Sequence, residues 1–301
     1  MMTQANAQQD PQYSQYIFNG LILNPAYAGS KEHLNANAIY RTQWTGLEGS
    51  PKTQTASVDK MAFRNVGLGF HVVNDCIGAE RNLSFYGSYA YKLRFESNVK
   101  LSLGIAGGVS NYSVDESLLK TDNPYDPDVQ KLANSKILPD AKTGVFFNTE
   151  RYYAGVSVSN ILSDLFSYES SLGKPKKHYY LTTGYLWNIT PGFAFKPSIL
   201  LKESFDGPGN LDLNGFVLIN DKLWLGSSYR TGSGLFYLGN SNFNFRNAVA
   251  LMMEYYFNEF RIGYVYDITT SGLNGYSTHE ISLGYYFVKK HESKMLVPRY
   301  F

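Results

Sequence analysis

The chain has 301 residues, 27 basic and 25 acidic side chains, a formal net charge of +2, a single cysteine and 16% aromatic residues. That balance carries no basic footprint for a nucleic-acid partner, and Cys76 alone permits neither an intramolecular disulfide nor a multi-thiolate metal site. A load of 25 Tyr and 19 Phe beside 17% charged residues and a mean hydropathy of −0.27 is out of keeping with a soluble enzyme; it suits a sheet with one apolar and one wet face.

Residues 1–7 are too short for a signal peptide, but Ala5-Asn6-Ala7 has the small-x-small form of a secretory cleavage site. We expect 1–7 to be the stub of an exported leader and the mature chain to start near Gln8. Residues 8–32 follow as a polar-aromatic segment with Pro and Gly breaks, neither long helix nor spanning strand. Its rings need cover, in a barrel mouth or against a periplasmic partner, so we expect a periplasmic or lumenal segment. A transmembrane helix is not available. The charge-free stretches Pro11–Ser30 and His178–Phe195 are interrupted by Pro, Gly, Asn and Thr, whereas a spanning helix needs about 20 mostly apolar residues.

From 33 to 288 the period is two. Leu83, Phe85, Gly87, Tyr89, Tyr91, Leu93 and Phe95 alternate with Ser84, Tyr86, Ser88, Ala90, Lys92 and Arg94, and the 99–109 and 248–257 stretches repeat the scheme. The pattern predicts about fourteen strands, near 33–44, 52–61, 65–74, 82–95, 98–112, 139–148, 151–161, 177–188, 192–203, 210–220, 222–231, 246–257, 259–268 and 276–288. Short turns alternate with longer loops, the latter at 45–52, 74–82, 113–140, 160–176, 203–210, 231–246 and 269–275. Tight turns on one side and long loops on the other are the asymmetry of an outer-membrane barrel; an even strand number then leaves both termini on the short-turn, periplasmic side. Aromatics crowd the strand ends, among them Tyr40, Trp44, Tyr152, Tyr153, Tyr185, Trp187, Phe193, Tyr255, Tyr256, Phe257, Tyr285, Tyr286 and Phe287, as interfacial girdles do. The fold class read here is an all-β transmembrane antiparallel barrel over 33–288, in contact with outer-membrane lipid, with a basic-aromatic tail at 289–301.

Catalytic patterns are missing. Gly108-Val109-Ser110-Asn111-Tyr112 and Gly239-Asn240-Ser241-Asn242-Phe243 lack the closing Gly of a nucleophile elbow. The glycines at 67, 69, 104, 107, 108, 232 and 234 fall in strands or hairpin loops, where they relieve crowding or curvature instead of opening a phosphate-binding helix. His33, His71, His178, His279 and His291 are scattered, and His279 and Glu280 are strand neighbours that point to opposite faces. No enzyme activity, cofactor or metal is expected. Asp122, Asp126 and Asp128, around Tyr125, form an acidic turn without the spacing of a calcium loop. The inward faces carry Arg41, Lys92, Arg94, Lys100, Lys196, Lys202, Asp212, Arg230, Glu254, Arg261, Asp267 and Glu280. These read as a lumen stiffened by ion pairs, the alternative being a selective pore.

The segment Gln8-Gln9-Asp10-Pro11-Gln12-Tyr13-Ser14-Gln15-Tyr16-Ile17-Phe18-Asn19, followed by Asn24-Pro25-Ala26-Tyr27-Ala28-Gly29-Ser30, resembles the opening of the PorP/SprF family of outer-membrane proteins, associated with type IX secretion in Bacteroidetes-type bacteria. The likeness continues through Tyr40-Arg41-Thr42-Gln43-Trp44-Thr45-Gly46, Gly49-Ser50-Pro51-Lys52-Thr53-Gln54-Thr55 and Asn65-Val66-Gly67-Leu68-Gly69, and returns at Tyr266-Asp267-Ile268 and His279-Glu280-Ile281-Ser282-Leu283. Gly20 departs from the apolar or Pro residue usual after the opening Phe-Asn. The resemblance implies a non-enzymatic barrel of the secretion and gliding apparatus that helps secrete or anchor a surface adhesin through its C-terminal sorting domain and contacts the periplasmic ring; a small-molecule transporter or porin is the alternative. Partner-contact candidates on this reading are Gln9, Asp10, Pro11, Tyr13, Tyr16, Asn24, Pro25, Trp44 and Lys52, with Asp122, Tyr125, Asp126 and Asp128 in the longest loop.

Overall fold

The computed structural model describes residues 13–95, 98–118, 135–165, 175–205, 209–233, 247–270 and 275–287. The alternating stretches form one antiparallel sheet of strands β1 (Leu34–Thr42), β2 (Lys52–Phe63), β3 (Val66–Ile77), β4 (Glu80–Arg94), β5 (Lys100–Val114), β6 (Lys136–Asn148), β7 (Tyr152–Ser159), β8 (His178–Tyr185), β9 (Trp187–Thr190), β10 (Phe193–Glu203), β11 (Gly209–Ile219), β12 (Leu223–Ser233), β13 (Ala248–Phe257), β14 (Phe260–Thr269) and β15 (Ser277–Phe287). β8 and β9 are two pieces of one stave: both pair with β10, and they part at the inward-facing Leu186, beside a register shift at Phe193/Ala194. The count is therefore fourteen staves, as the period predicts. β15 pairs with β1 from Leu34↔Phe287 to Thr42↔His279, so the barrel closes and leaves no unpaired edge for lipid to meet.

Each stave keeps the two-faced chemistry that encoded it. On β5, Leu103, Ile105 and Val109 stand exposed while Ser102, Ala106 and Ser110 are buried. An apolar exterior around a polar interior is the inverse of a soluble core and the arrangement a bilayer selects. Asn98, Asn220, Asp221 and Asn258 take positive φ at the short turns, the conformation that Asn and Asp tolerate best after Gly. The barrel's two ends, Leu34 and Phe287, meet at this turn end.

Two expectations need correcting. The long loop at 74–82 does not exist: β3 runs to Ile77 and β4 starts at Glu80, with Gly78 (φ +58) supplying the tight turn. Pairing continues through Asp75↔Asn82 and Cys76↔Arg81, because Thr53 Oγ1 donates to Asp75 at 2.6 Å and keeps this polar stretch in register with β2. The alternation of turn and loop lengths thus has an exception at β3–β4. The aromatic girdle is also thinner than its sequence. Tyr152, Trp187, Phe193, Phe257, Phe260 and Phe287 stand outward at the turn end, but Tyr153, Tyr256 and Tyr286 fall on the other parity and are buried inside.

Candidate functional site: a filled lumen

Residues 13–33 lie inside the barrel. Three short 3-10 turns, Gln15–Ile17, Gly20–Ile22 and Pro25–Tyr27, fold this segment into a plug. It buries Tyr13, Tyr16, Ile17, Phe18, Ile22 and Tyr27 in one cluster with Phe146, Tyr153, Phe216 and Trp224 of the wall, and Leu21 beside Ala90 of β4. At roughly 1.5–3 kcal/mol for each fully buried large apolar side chain, the plug is bound chiefly by its rings and aliphatics. Asn24 caps the third turn by accepting from Ala26 N at 2.9 Å, and Pro25 at its first position has no N–H to leave unpaired.

Polar contacts then set where the plug sits. Near the long-loop end, Ser14 N and Gln15 N donate to the two Glu280 carboxylate oxygens at 3.0 and 2.9 Å. Ser14 Oγ donates to Asp267 at 2.9 Å. Arg41 bridges Asp267 (3.1 Å) and Glu280 (2.8 Å), and Arg230 pairs with Asp212 at 2.9 Å and approaches Asp267 at 3.7 Å. All five charged groups are buried, so each carboxylate depends on these partners. Toward the turn end, Arg261 and Lys31 both donate to the Phe18 carbonyl at 3.2 Å and to the Tyr286 hydroxyl at 2.8 and 2.9 Å. Asp59 accepts from Gly29 N at 2.8 Å and from Asn35 at 2.7 Å. On the opposite wall, Ser157 Oγ donates to Leu23 O at 2.7 Å and Asn24 Nδ2 to Val145 O at 3.0 Å.

Two glycines make room for this backbone. A Cβ at Gly104 would collide with the backbone of Ala26, and one at Gly67 with the Ala28 carbonyl. Their role, then, is close approach of two main chains.

At the rim, Glu32 accepts from Lys100 at 2.7 Å and pairs with Arg94 at 3.3 Å. Partial burial works against the Glu32 carboxylate, but the Lys100 hydrogen bond and the charges of Lys100 and Arg94 outweigh it and hold the group below the usual carboxylate range. A depressed folded value means that the contribution is complete above the ordinary carboxylate pKa of about 4.3 and disappears as pH falls through the folded value. The thermal midpoint of the detergent-solubilised barrel should therefore drop between pH 5 and pH 3 by more in wild type than in Glu32→Gln. Equal drops would show that this pair does not anchor the plug's exit.

Of the charges expected on the inward face, Arg41, Lys92, Lys196, Lys202, Asp212, Arg230, Glu254, Arg261, Asp267 and Glu280 are buried in the lumen; Arg94 and Lys100 reach the rim instead. Asp59, His71, Asp75, Asp140, His178 and Glu203 are also buried and were absent from that expectation, although Asp59 sits on the same parity as Thr53, Thr55 and Ser57 of β2. His279 bonds Tyr264 and Ser277, apart from the buried Glu280, so the two do not form a couple. Among the partner-contact candidates, Tyr13, Tyr16, Asn24 and Pro25 come together inside the lumen, while Trp44 is half-buried and Lys52 exposed at the long-loop end. Gln9, Asp10, Pro11, Asp122, Tyr125, Asp126, Asp128, the 1–7 stub and the 289–301 tail lie outside the described residues. Among the described residues no group of His, Cys, Asp and Glu is gathered for a metal ion.

Solved structures of similar shape are outer-membrane barrels. The chain is similar to the CymD monoaromatic hydrocarbon channel, with 11% identity over 91% of this chain and 94% of that one and a TM-score of 0.59. It is also similar to a FadL homologue of Pseudomonas aeruginosa, with 12% identity over 94% and 96% and a TM-score of 0.50. At such identities the likeness is one of fold alone. No curated protein matches the chain. A family model described as type IX secretion system membrane protein PorP/SprF matches residues 5–285.

Proposed function

The chain belongs to the PorP/SprF family of type IX secretion system membrane proteins, and from that premise we propose that it is a non-enzymatic outer-membrane component that holds a secreted adhesin at the cell surface through the adhesin's C-terminal sorting domain. The observation that supports the reading is the occupied lumen. A barrel whose interior charges pair with one another, and whose remaining space is filled by its own N-terminal segment, is built to be solid, and a solid barrel serves as a platform. In the orientation we propose, the short turns face the periplasm and the long connections face outward. The plug then reaches from Tyr13, near the outer end, to Glu32 at the periplasmic rim, within reach of ring components of the machinery. The outer connections supply the cargo-binding surface.

The test is deletion of residues 119–134 or 166–174 in the native host, followed by purification of the barrel from the outer membrane and identification of what comes with it. An adhesin that co-purifies with wild type and is lost, together with its surface retention, in one deletion supports the proposal. Normal retention in both deletions, with the barrel inserted, overturns the loop-binding version.

A further inference from the structure

The plug is not centred. Its ionic and close backbone contacts lie on β1–β3, β5–β7, β14 and β15. Two cavities lie between the plug and the wall toward β8–β12, and a third lies across the lumen against β3–β6. One of about 40 Å³ lies beside Tyr153 and Lys196, a second of about 30 Å³ beside Lys202 and Arg230, and a third of about 40 Å³ beside Ser84, Tyr112 and Lys142. Leu23 and Tyr180 line all three. Each has room for two or three waters at about 10–15 Å³ apiece.

Two rings of the plug stand on this side, Tyr16 between the cavities and Phe18 packed on β11 outside their lining. Tyr16 borders both the first and second cavities and accepts a hydrogen bond from Asn214 of β11 at 2.8 Å, which straps it across the gap. Nearer the turn end, Phe18 meets Phe216 edge-on, with centroids 5.6 Å apart, and Phe216 meets Trp224 at 6.4 Å. Both rings belong to one short stretch, Ser14–Asn19, whose other side is the part bound by Glu280, Asp267, Arg41 and Ser57. Along β8–β12 the charged residues bordering the cavities are Lys196, Lys202 and Arg230, against a single carboxylate, Asp212.

We propose that Ser14–Asn19 is a gate over a latent path for small anions, which runs through the lumen along β8–β12. In the closed barrel the path is dry of through-flow. Removing the two rings joins its compartments while residues 20–33 stay anchored by Asn24, Gly29 and Glu32. The cations along it then set the sign of the permeant ion, as charged rings do in channels.

The experiment is planar-bilayer recording of the purified full-length barrel under a potassium chloride gradient, with folding checked by heat-modifiable gel migration. Wild type should be silent. The Tyr16→Ala/Phe18→Ala variant should conduct with a reversal potential on the chloride side, and adding Lys196→Glu should move that potential toward potassium. Should the plug variant fail to fold, Tyr180→Ala/Phe216→Ala opens the same gap from the wall and carries the same expectation. Steady conductance in wild type, silence in a folded variant, or a reversal potential unmoved by Lys196→Glu would each overturn the proposal. No secretion partner is present in these recordings, so a silent folded variant or an unmoved potential leaves the platform reading standing, steady conductance in wild type counts against both, and failure of the loop deletions leaves the gate standing.

Discussion

Placing valine at Gly104 should lift the middle of the plug from the wall, whereas placing it at Gly107 should do nothing. Both glycines lie on β5, but their parities differ. A Cβ at Gly104 points inward and collides with the backbone of Ala26, while one at Gly107 meets nothing within 4 Å. Side chains can yield to crowding by changing rotamer, but here the neighbour is main chain, held by the Asn24 cap and by Asp59 on Gly29. Over-packing of this kind costs about 1–3 kcal/mol, equivalent to roughly a 5- to 150-fold rise in the locally open fraction. Ser30 offers a reporter. It is buried, and cysteine is close to its shape. In a Cys76→Ser background, Ser30→Cys should react slowly with a soluble maleimide. The reaction should accelerate by that factor with Gly104→Val and stay unchanged with Gly107→Val. The rate reads the open fraction as long as reclosing outpaces labelling. Equal rates in all three would mean that the plug is not seated on β5.

The same parity logic explains what was legible beforehand. Alternation names a face, and Leu103, Ile105 and Val109 show that the face it named is the outward one. It also put the buried cations and carboxylates in the lumen, with Arg94 and Lys100 missed only because the wall ends there and their side chains bend to Glu32. What alternation cannot do is say what fills the space it encloses. The contacts between the plug and the wall join residues such as Ser14 and Asp267, far apart in the chain and tied by no shared period. A girdle residue and a lumen residue can likewise be neighbours: Tyr256 and Phe257 are one aromatic pair in sequence, yet one is buried inside and the other stands outside. The 74–82 stretch read as loop because Asn, Asp and Gly dominate it. Register with β2 overrides that composition, as tertiary pairing commonly does.

The motifs behind the family resemblance acquire a physical meaning from this arrangement. Ser14 and Gln15 near the start of the chain, Arg41 in the first strand, Asp267 and Glu280 near its end converge on one place. Gly67, in the motif after β2, lies under Ala28 of the Asn24–Ser30 stretch. What is shared in sequence at the two ends of the chain is thus the plug and the surfaces that receive it. Of the longer connections, only the one between β1 and β2 falls within those motifs.

Arg41 should be the most sensitive single residue of that meeting point. Its guanidinium bridges Asp267 and Glu280 and donates to Ser14 Oγ at 2.9 Å, so Arg41→Ala leaves two carboxylates facing each other in a buried site with Arg230 as the remaining cation. Removing one member of a buried ion pair costs about 3–5 kcal/mol, much of it the penalty of the charge left behind. Glu280→Gln alone should cost less than Arg41→Ala, because the amide keeps one acceptor for the Ser14 and Gln15 N–H groups while Arg41 retains Asp267. The double variant Arg41→Met/Glu280→Gln removes one charge of each sign and fills the space with apolar atoms. Its loss in urea unfolding from lipid vesicles should therefore fall clearly short of the sum of the losses of Arg41→Met and Glu280→Gln measured singly, with a coupling of about 1–3 kcal/mol. Strict additivity would mean that Arg41 acts through packing alone and that the plug's polar anchor lies elsewhere. Recovery in the double variant would identify pairing of these charges, and not their mere presence, as what keeps Ser14 and Gln15 in the lumen.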